Sequence, residues 1–72
     1  MLLVTGKANI IIYGYKYTYE GTLNQAGEAL GLGIATKVED PSWTFTGTFY
    51  DNMLHGIGKN CSALILICYH LL

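Results

Sequence analysis

Two stretches of the chain alternate between large apolar or aromatic residues and small or polar ones. In the first, Ile11, Tyr13, Tyr15, Tyr17 and Tyr19 alternate with Ile12, Gly14, Lys16, Thr18 and Glu20. In the second, Trp43, Phe45, Gly47 and Phe49 alternate with Thr44, Thr46, Thr48 and Tyr50. A period of two puts successive side chains on opposite faces of a strand, and β-branched and aromatic residues suit a pleated surface. The pattern predicts a mainly β chain. It places Ile11 and the tyrosines from Tyr13 to Tyr19 on one face, which Gly21 and Leu23 continue.

The two stretches are also copies of one another. Tyr19-Glu-Gly-Thr-Leu23 aligns with Phe45-Thr-Gly-Thr-Phe49 at an offset of 26. Farther on, Gly31-Leu-Gly33 aligns with Gly56-Ile-Gly58 at an offset of 25, so the first copy carries one extra residue between Leu23 and Gly31. Each copy reads as aromatic-x-Gly-Thr-apolar, a gap, then Gly-apolar-Gly. The first gap, Asn24 to Leu30, contains Gly27, and the second contains Asp51-Asn52. Gly, Asn and Asp accept the left-handed backbone of a tight turn, so each copy predicts a β-hairpin. Residues 1–12 read as the returning arm of an earlier, partial copy, on the strength of Gly6.

These residues resemble the membrane occupation and recognition nexus (MORN) repeat. Residues 45–58 carry the closest likeness: Phe45, Gly47, Phe49, Asp51-Asn52 at the turn and His55-Gly-x-Gly58. The copy over 19–36 begins with Tyr19-Glu-Gly21 and then departs, with Leu23 in place of the second aromatic and Leu30 in place of His. The resemblance implies a short ribbon of stacked antiparallel hairpins. It divides the chain into a partial unit at 1–18, copy one at 19–44, copy two at 45–59 and an apolar tail at 60–72. Tyr19, Gly21, Trp43, Phe45, Gly47, Phe49, Gly56 and Gly58 are then the architectural residues. The family's roles imply a non-catalytic scaffold that binds another protein through its aromatic face or an open strand edge. They also imply a cytoplasmic setting, cytoskeletal or ciliary. The family name suggests an alternative, a module for phospholipid surfaces.

Composition narrows these readings. The chain has 72 residues, 51% hydrophobic and 12% charged, with net charge −1 and no arginine. Disordered tails are poorer in apolar residues, and a nucleic-acid binder needs a basic stripe. Anionic membranes call for clusters of about four to eight basic residues; the four lysines here are dispersed, which disfavours the membrane alternative. A core this small barely offsets the entropy of ordering, so a staple or a partner is expected. The two cysteines read as free thiols in a reducing setting, because stapled mini-proteins usually carry more. The N-terminus lacks the early positive charge of a signal peptide. The tail from Ala63 to Leu72 is too short to cross a bilayer as a helix. It reads either as a strand or as a helix capped by Ser62, and in either form as a candidate for self-association.

Candidate chemistry is sparse. His55, Cys61, Cys68 and His70 are metal-ligand types, but Cys61 and Cys68 are seven apart, wider than zinc pairs. Gly31-Leu-Gly33 lacks the third glycine of a dinucleotide loop, since Thr36 stands there. Ser42 and Ser62 sit in no nucleophile elbow. No catalytic residue, metal or cofactor is assigned. Tyr13, Tyr15 and Tyr17 are the partner-contact candidates, because aromatics give much contact area at low entropic cost.

Overall fold

The computed structural model describes residues 3–62 and 67–71, with Ile57 and residues 67–71 described by their backbone. Six strands follow one another: β1 (Val4–Ile12), β2 (Tyr15–Leu23), β3 (Ala29–Lys37), β4 (Trp43–Tyr50), β5 (Met53–Ser62) and β6 (Ile67–Leu71). They form one antiparallel sheet in sequence order, a meander with no helix among the described residues. The predicted hairpins are β2–β3 and β4–β5. Of the tail, residues 67–71 form a strand paired with β5; positions 63–66 and 72 lie outside the described residues.

The turns follow their residues. Asp51 and Asn52 have φ of 52° and 63°, the left-handed pair of a tight hairpin turn. In the β2–β3 turn, the Asn24 side-chain oxygen accepts from the Ala26 and Glu28 amides at 3.0 and 2.9 Å. One turn escaped the sequence pattern. Tyr13 (φ 51°) and Gly14 (φ 85°) reverse the chain between β1 and β2. The alternating run from Ile11 to Glu20 is therefore two strands. Ile11 is 62% exposed while Ile10 and Ile12 are buried. Ile10 pairs with Tyr17 and Ile12 with Tyr15, so it is these isoleucines that share the tyrosine face. Ile11 and Tyr13 do not belong to that face: a two-residue turn resets the alternation without interrupting it in the sequence.

The hairpins place their glycines and aromatic residues in common rows. Gly6, Gly21, Gly33, Gly47 and Gly58 lie side by side in one row across five strands. Next to it, Ala8, Tyr19, Ala35, Phe45 and Asn60 form a second row. In each hairpin the register slips at the same place. Gly21 pairs with Gly33 but Leu23 with Ala29, and Gly47 pairs with Gly58 but Phe49 with Leu54. A single threonine, Thr22 or Thr48, thus faces three residues of the returning strand. The middle one is a glycine with positive φ, Gly31 at 97° or Gly56 at 74°. This β-bulge is what the Gly-x-Gly motif encodes: one glycine makes the bulge and the next occupies the glycine row.

The glycine row makes room for rings. A Cβ on Gly33 would lie 2.4 Å from the Tyr19 ring, and one on Gly58 would lie 2.1 Å from Phe45. Each aromatic therefore lies diagonally across the returning strand of its own hairpin, over bare backbone. Phe49 joins the copies. Its ring meets Tyr19 edge-on at 4.7 Å and Phe45 at 5.3 Å. Ile10, Ile12, Leu23, Ala29 and Ala35 complete the core on the same face. The sheet curls about that face until β1 approaches β5. The turn of the second hairpin docks on the first: Asn52 Oδ1 accepts from the Ala29 amide at 2.7 Å, and the Asn52 amide donates back to the Ala29 carbonyl at 3.2 Å. Stacking a second hairpin gives the first the burial that a lone hairpin lacks.

Gly33→Ala is expected to destabilise the fold by about 1–3 kcal/mol through overpacking against Tyr19. Gly6→Ala, whose Cβ would meet, among the described residues, the flexible end of Leu23 at 3.1 Å, is expected to cost under about 0.5 kcal/mol. Urea unfolding of both variants measures the difference; equal midpoints would remove the ring-over-glycine account.

Candidate functional site

The aromatic face changes character along its length. Tyr19 is 0% exposed, Tyr17 half-buried, Tyr15 49% exposed and Tyr13, in its turn, 78% exposed. At the buried end, the Tyr19 hydroxyl donates to the Thr22 carbonyl at 2.7 Å and lies 3.3 Å from the Leu32 carbonyl. These are groups of the bulge, where ladder pairing is interrupted. Burial pushes the Tyr19 phenol above its ordinary value of about 10. In the second copy Phe45 lacks the hydroxyl, and the Thr48 hydroxyl instead donates to the His55 carbonyl.

The open end of the same face holds the candidate site. Tyr17 and Lys37 are cross-strand partners, as are Phe45 and Asn60, and Trp43 lies two residues from Phe45 on its face. Together Tyr17, Lys37, Trp43 and Asn60 line a shallow cavity of about 300 Å³. The Lys37 ammonium sits 3.9 Å from the centre of the Tyr15 ring, which holds the cation at the rim of the cavity. A second cavity of about 400 Å³ opens beside it, where Ile10, Tyr17 and Val38 meet Asn9, Ile11 and Lys16. The surface thus combines two aromatic rings, an amide and a cation, all on strands rather than loops. It can take up apolar side chains and hydrogen-bond or pair with polar ones.

Of the partner-contact candidates, Tyr15 and Tyr17 lie at this site, whereas Tyr13 belongs to the β1–β2 turn. The architectural residues Tyr19, Gly21, Phe45, Gly47, Phe49, Gly56 and Gly58 occupy the rows and bulges. Trp43 has a second place, as a wall of the cavity. Lys37 and Asn60 carried no individual signal in the sequence; only strand register brings them to the aromatic face.

The cysteines differ from expectation. Cys61 is disulfide-bonded rather than free. Cys68, the chain's other cysteine, is its direct cross-strand partner in the β5–β6 register. A spacing of seven, too wide for a zinc pair, brings the two cysteines opposite each other once β6 pairs antiparallel with β5. Elsewhere the polar groups are internally employed. Buried Ser62 lies 3.4 Å from the Ser42 hydroxyl, which donates to Asp40 at 2.6 Å. Among the described residues no group of three or more His, Cys, Asp or Glu could hold a metal ion.

No protein family, curated protein or solved structure matches this chain.

The raised Tyr19 value gives a signed pH effect. The folded state favours the neutral phenol, so its stabilisation is complete below the ordinary value and is lost as pH rises through the higher folded one. Urea midpoints are expected to fall above about pH 10 in the parent chain. Tyr19→Phe is expected to lack that share of the fall while starting about 1 kcal/mol lower at neutral pH from the lost hydrogen bond. Parallel pH profiles of the two proteins would refute the assignment.

Proposed function

We propose that the chain is a non-catalytic protein-interaction module of MORN-like type, and that it grips a partner's polypeptide segment at the open end of its aromatic face. The observation that carries this reading is the cavity between Tyr17 and Trp43, with Lys37 and Asn60 at its rim. Aromatic anchors in a cleft, flanked by polar groups, are the composition of binding hot spots. The repeat core beneath them holds the rings in place before binding, which lowers the entropy cost of association. Tyr15, half exposed beside Lys37, extends the surface outward. A scaffold role fits the same architecture, since a ribbon of hairpins presents a continuous face.

The test is capture of partners from native extract, followed by titration of the captured protein against variants. Trp43→Ala and Tyr17→Ala are each expected to weaken binding about tenfold or more, while Leu32→Ala, exposed and outside both cavities, leaves it unchanged. Trp43 is the chain's single tryptophan, so its fluorescence reports occupancy directly. Salt-sensitive sedimentation with anionic vesicles, unaffected by Trp43→Ala, would replace this reading with the lipid-surface alternative.

A further inference from the structure

The sheet has two outer strands among the described residues: β1 pairs only with β2, and β6 only with β5. We propose that these two edges are complementary, so that β6 of one copy pairs antiparallel with β1 of the next. The chain would then assemble head to tail, completing between copies the same strand pairing that β2–β3 and β4–β5 make within one copy. This inference rests on the sheet edges and not on the aromatic cavity.

Register carries the argument. β1 is the counterpart of the two returning strands. Gly6-Lys7-Ala8 stands in the sheet as Gly33-Ile34-Ala35 and Gly58-Lys59-Asn60 do, with the glycine in the glycine row and the third residue in the aromatic row. β6 is the counterpart of the outgoing strands. Tyr69 pairs with Asn60 and Leu71 with Gly58, which puts Tyr69 in the row of Tyr19 and Phe45. Continuing the pattern sets Tyr69 opposite Ala8, and Leu71 opposite Gly6.

The space for such a strand is already present. Gly33 and Gly58 are each covered by a ring of the preceding strand, Tyr19 and Phe45. Gly6 has the same register position and, among the described residues, no such ring: an added Cβ there would meet Leu23 Cδ1 at 3.1 Å. Backbone groups are aligned as well. The Val38 amide donates to the Lys16 carbonyl at 2.9 Å, so Lys16, Thr18 and Glu20 face β3, and Tyr17 and Tyr19 face β1. Lys7 and Asn9, which pair with Glu20 and Thr18, therefore turn their N–H and C=O groups away from β2, toward an incoming strand.

Nothing on β1 blunts this edge. It contains no proline, its nine pairs with β2 run without a bulge, and its one charge, Lys7, pairs with Glu20 of β2 at 3.9 Å rather than standing alone on the edge. Two β1 strands pairing with each other would leave Gly6 uncovered, because β1 has no aromatic residue. The favoured contact is therefore heterologous, which builds an open chain unless the rotation between copies closes a ring. The disulfide at Cys61, opposite Cys68, holds β6 on β5 and so presets the donor edge.

Analytical ultracentrifugation of the oxidised 72-residue chain over a concentration series tests the proposal. The expected result is a concentration-dependent series of dimers, trimers and longer species. Gly6→Val places a branched side chain where the incoming ring must lie, and is expected to weaken association about tenfold or more with an unchanged circular dichroism spectrum. Added in excess to the parent chain, it should shorten the assemblies, because it keeps a β6 edge and so caps their growing ends. Should Gly6→Val fail to fold, Asn9→Pro removes an outward-facing amide from the same edge and is expected to weaken association equally. A parent chain that stays monomeric, leaving β1 to a foreign strand, would overturn the proposal. So would a closed dimer, or a folded edge variant that associates like the parent.

Discussion

The structure depends on a ring lying on bare backbone. Tyr19 covers Gly33 and Phe45 covers Gly58, each at a distance that excludes even a methyl group. This contact does two things in a single six-stranded sheet. It buries a large apolar surface against the sheet itself, and it sets the register of each hairpin, since a slip by one residue would carry the ring to the other face. The glycine row is the negative image of the aromatic row. Neither row has a purpose without the other, which is why both recur with the same spacing.

Phe49 turns two such hairpins into one body. It touches Tyr19 of the first copy and Phe45 of the second, both edge-on, and edge-on pairs gain from the ring quadrupoles beyond their buried area. Asn52 adds a polar clasp between the copies through both its amide and its side chain. In the first copy the position equivalent to Phe49 is Leu23, which fills the same face with less contact. The departure of copy one from the repeat pattern is thus tolerated because the second copy supplies the ring that stacks on Tyr19.

The same rows explain why the surface is asymmetric. Toward the bulges, the aromatic face is closed by Phe49 and by the docked turn. Toward Tyr15 and Trp43 the face holds the cavity lined by Tyr17, Lys37 and Asn60. Core and candidate binding surface are two ends of one continuous set of cross-strand neighbours.

Much of this was legible before any coordinates. The alternation named the strands, and the offsets of 26 and 25 named two hairpins and located the extra residue of the first, which the structure places in its turn. These features are local: periodicity and turn chemistry act between residues close in the chain. The Tyr13-Gly14 turn was hidden because its two residues preserve the alternation across the reversal. The disulfide was hidden because a spacing of seven acquires meaning only once β6 folds back on β5. Lys37 and Asn60 join the aromatic cavity, and Gly6 the glycine row, through strand register alone. Sequence by itself determined the β class, the two hairpins and which of their residues correspond, because those depend on local geometry. Which face each residue shares, and what lies across from it, was decided by tertiary structure, because pairing joins positions the chain holds far apart.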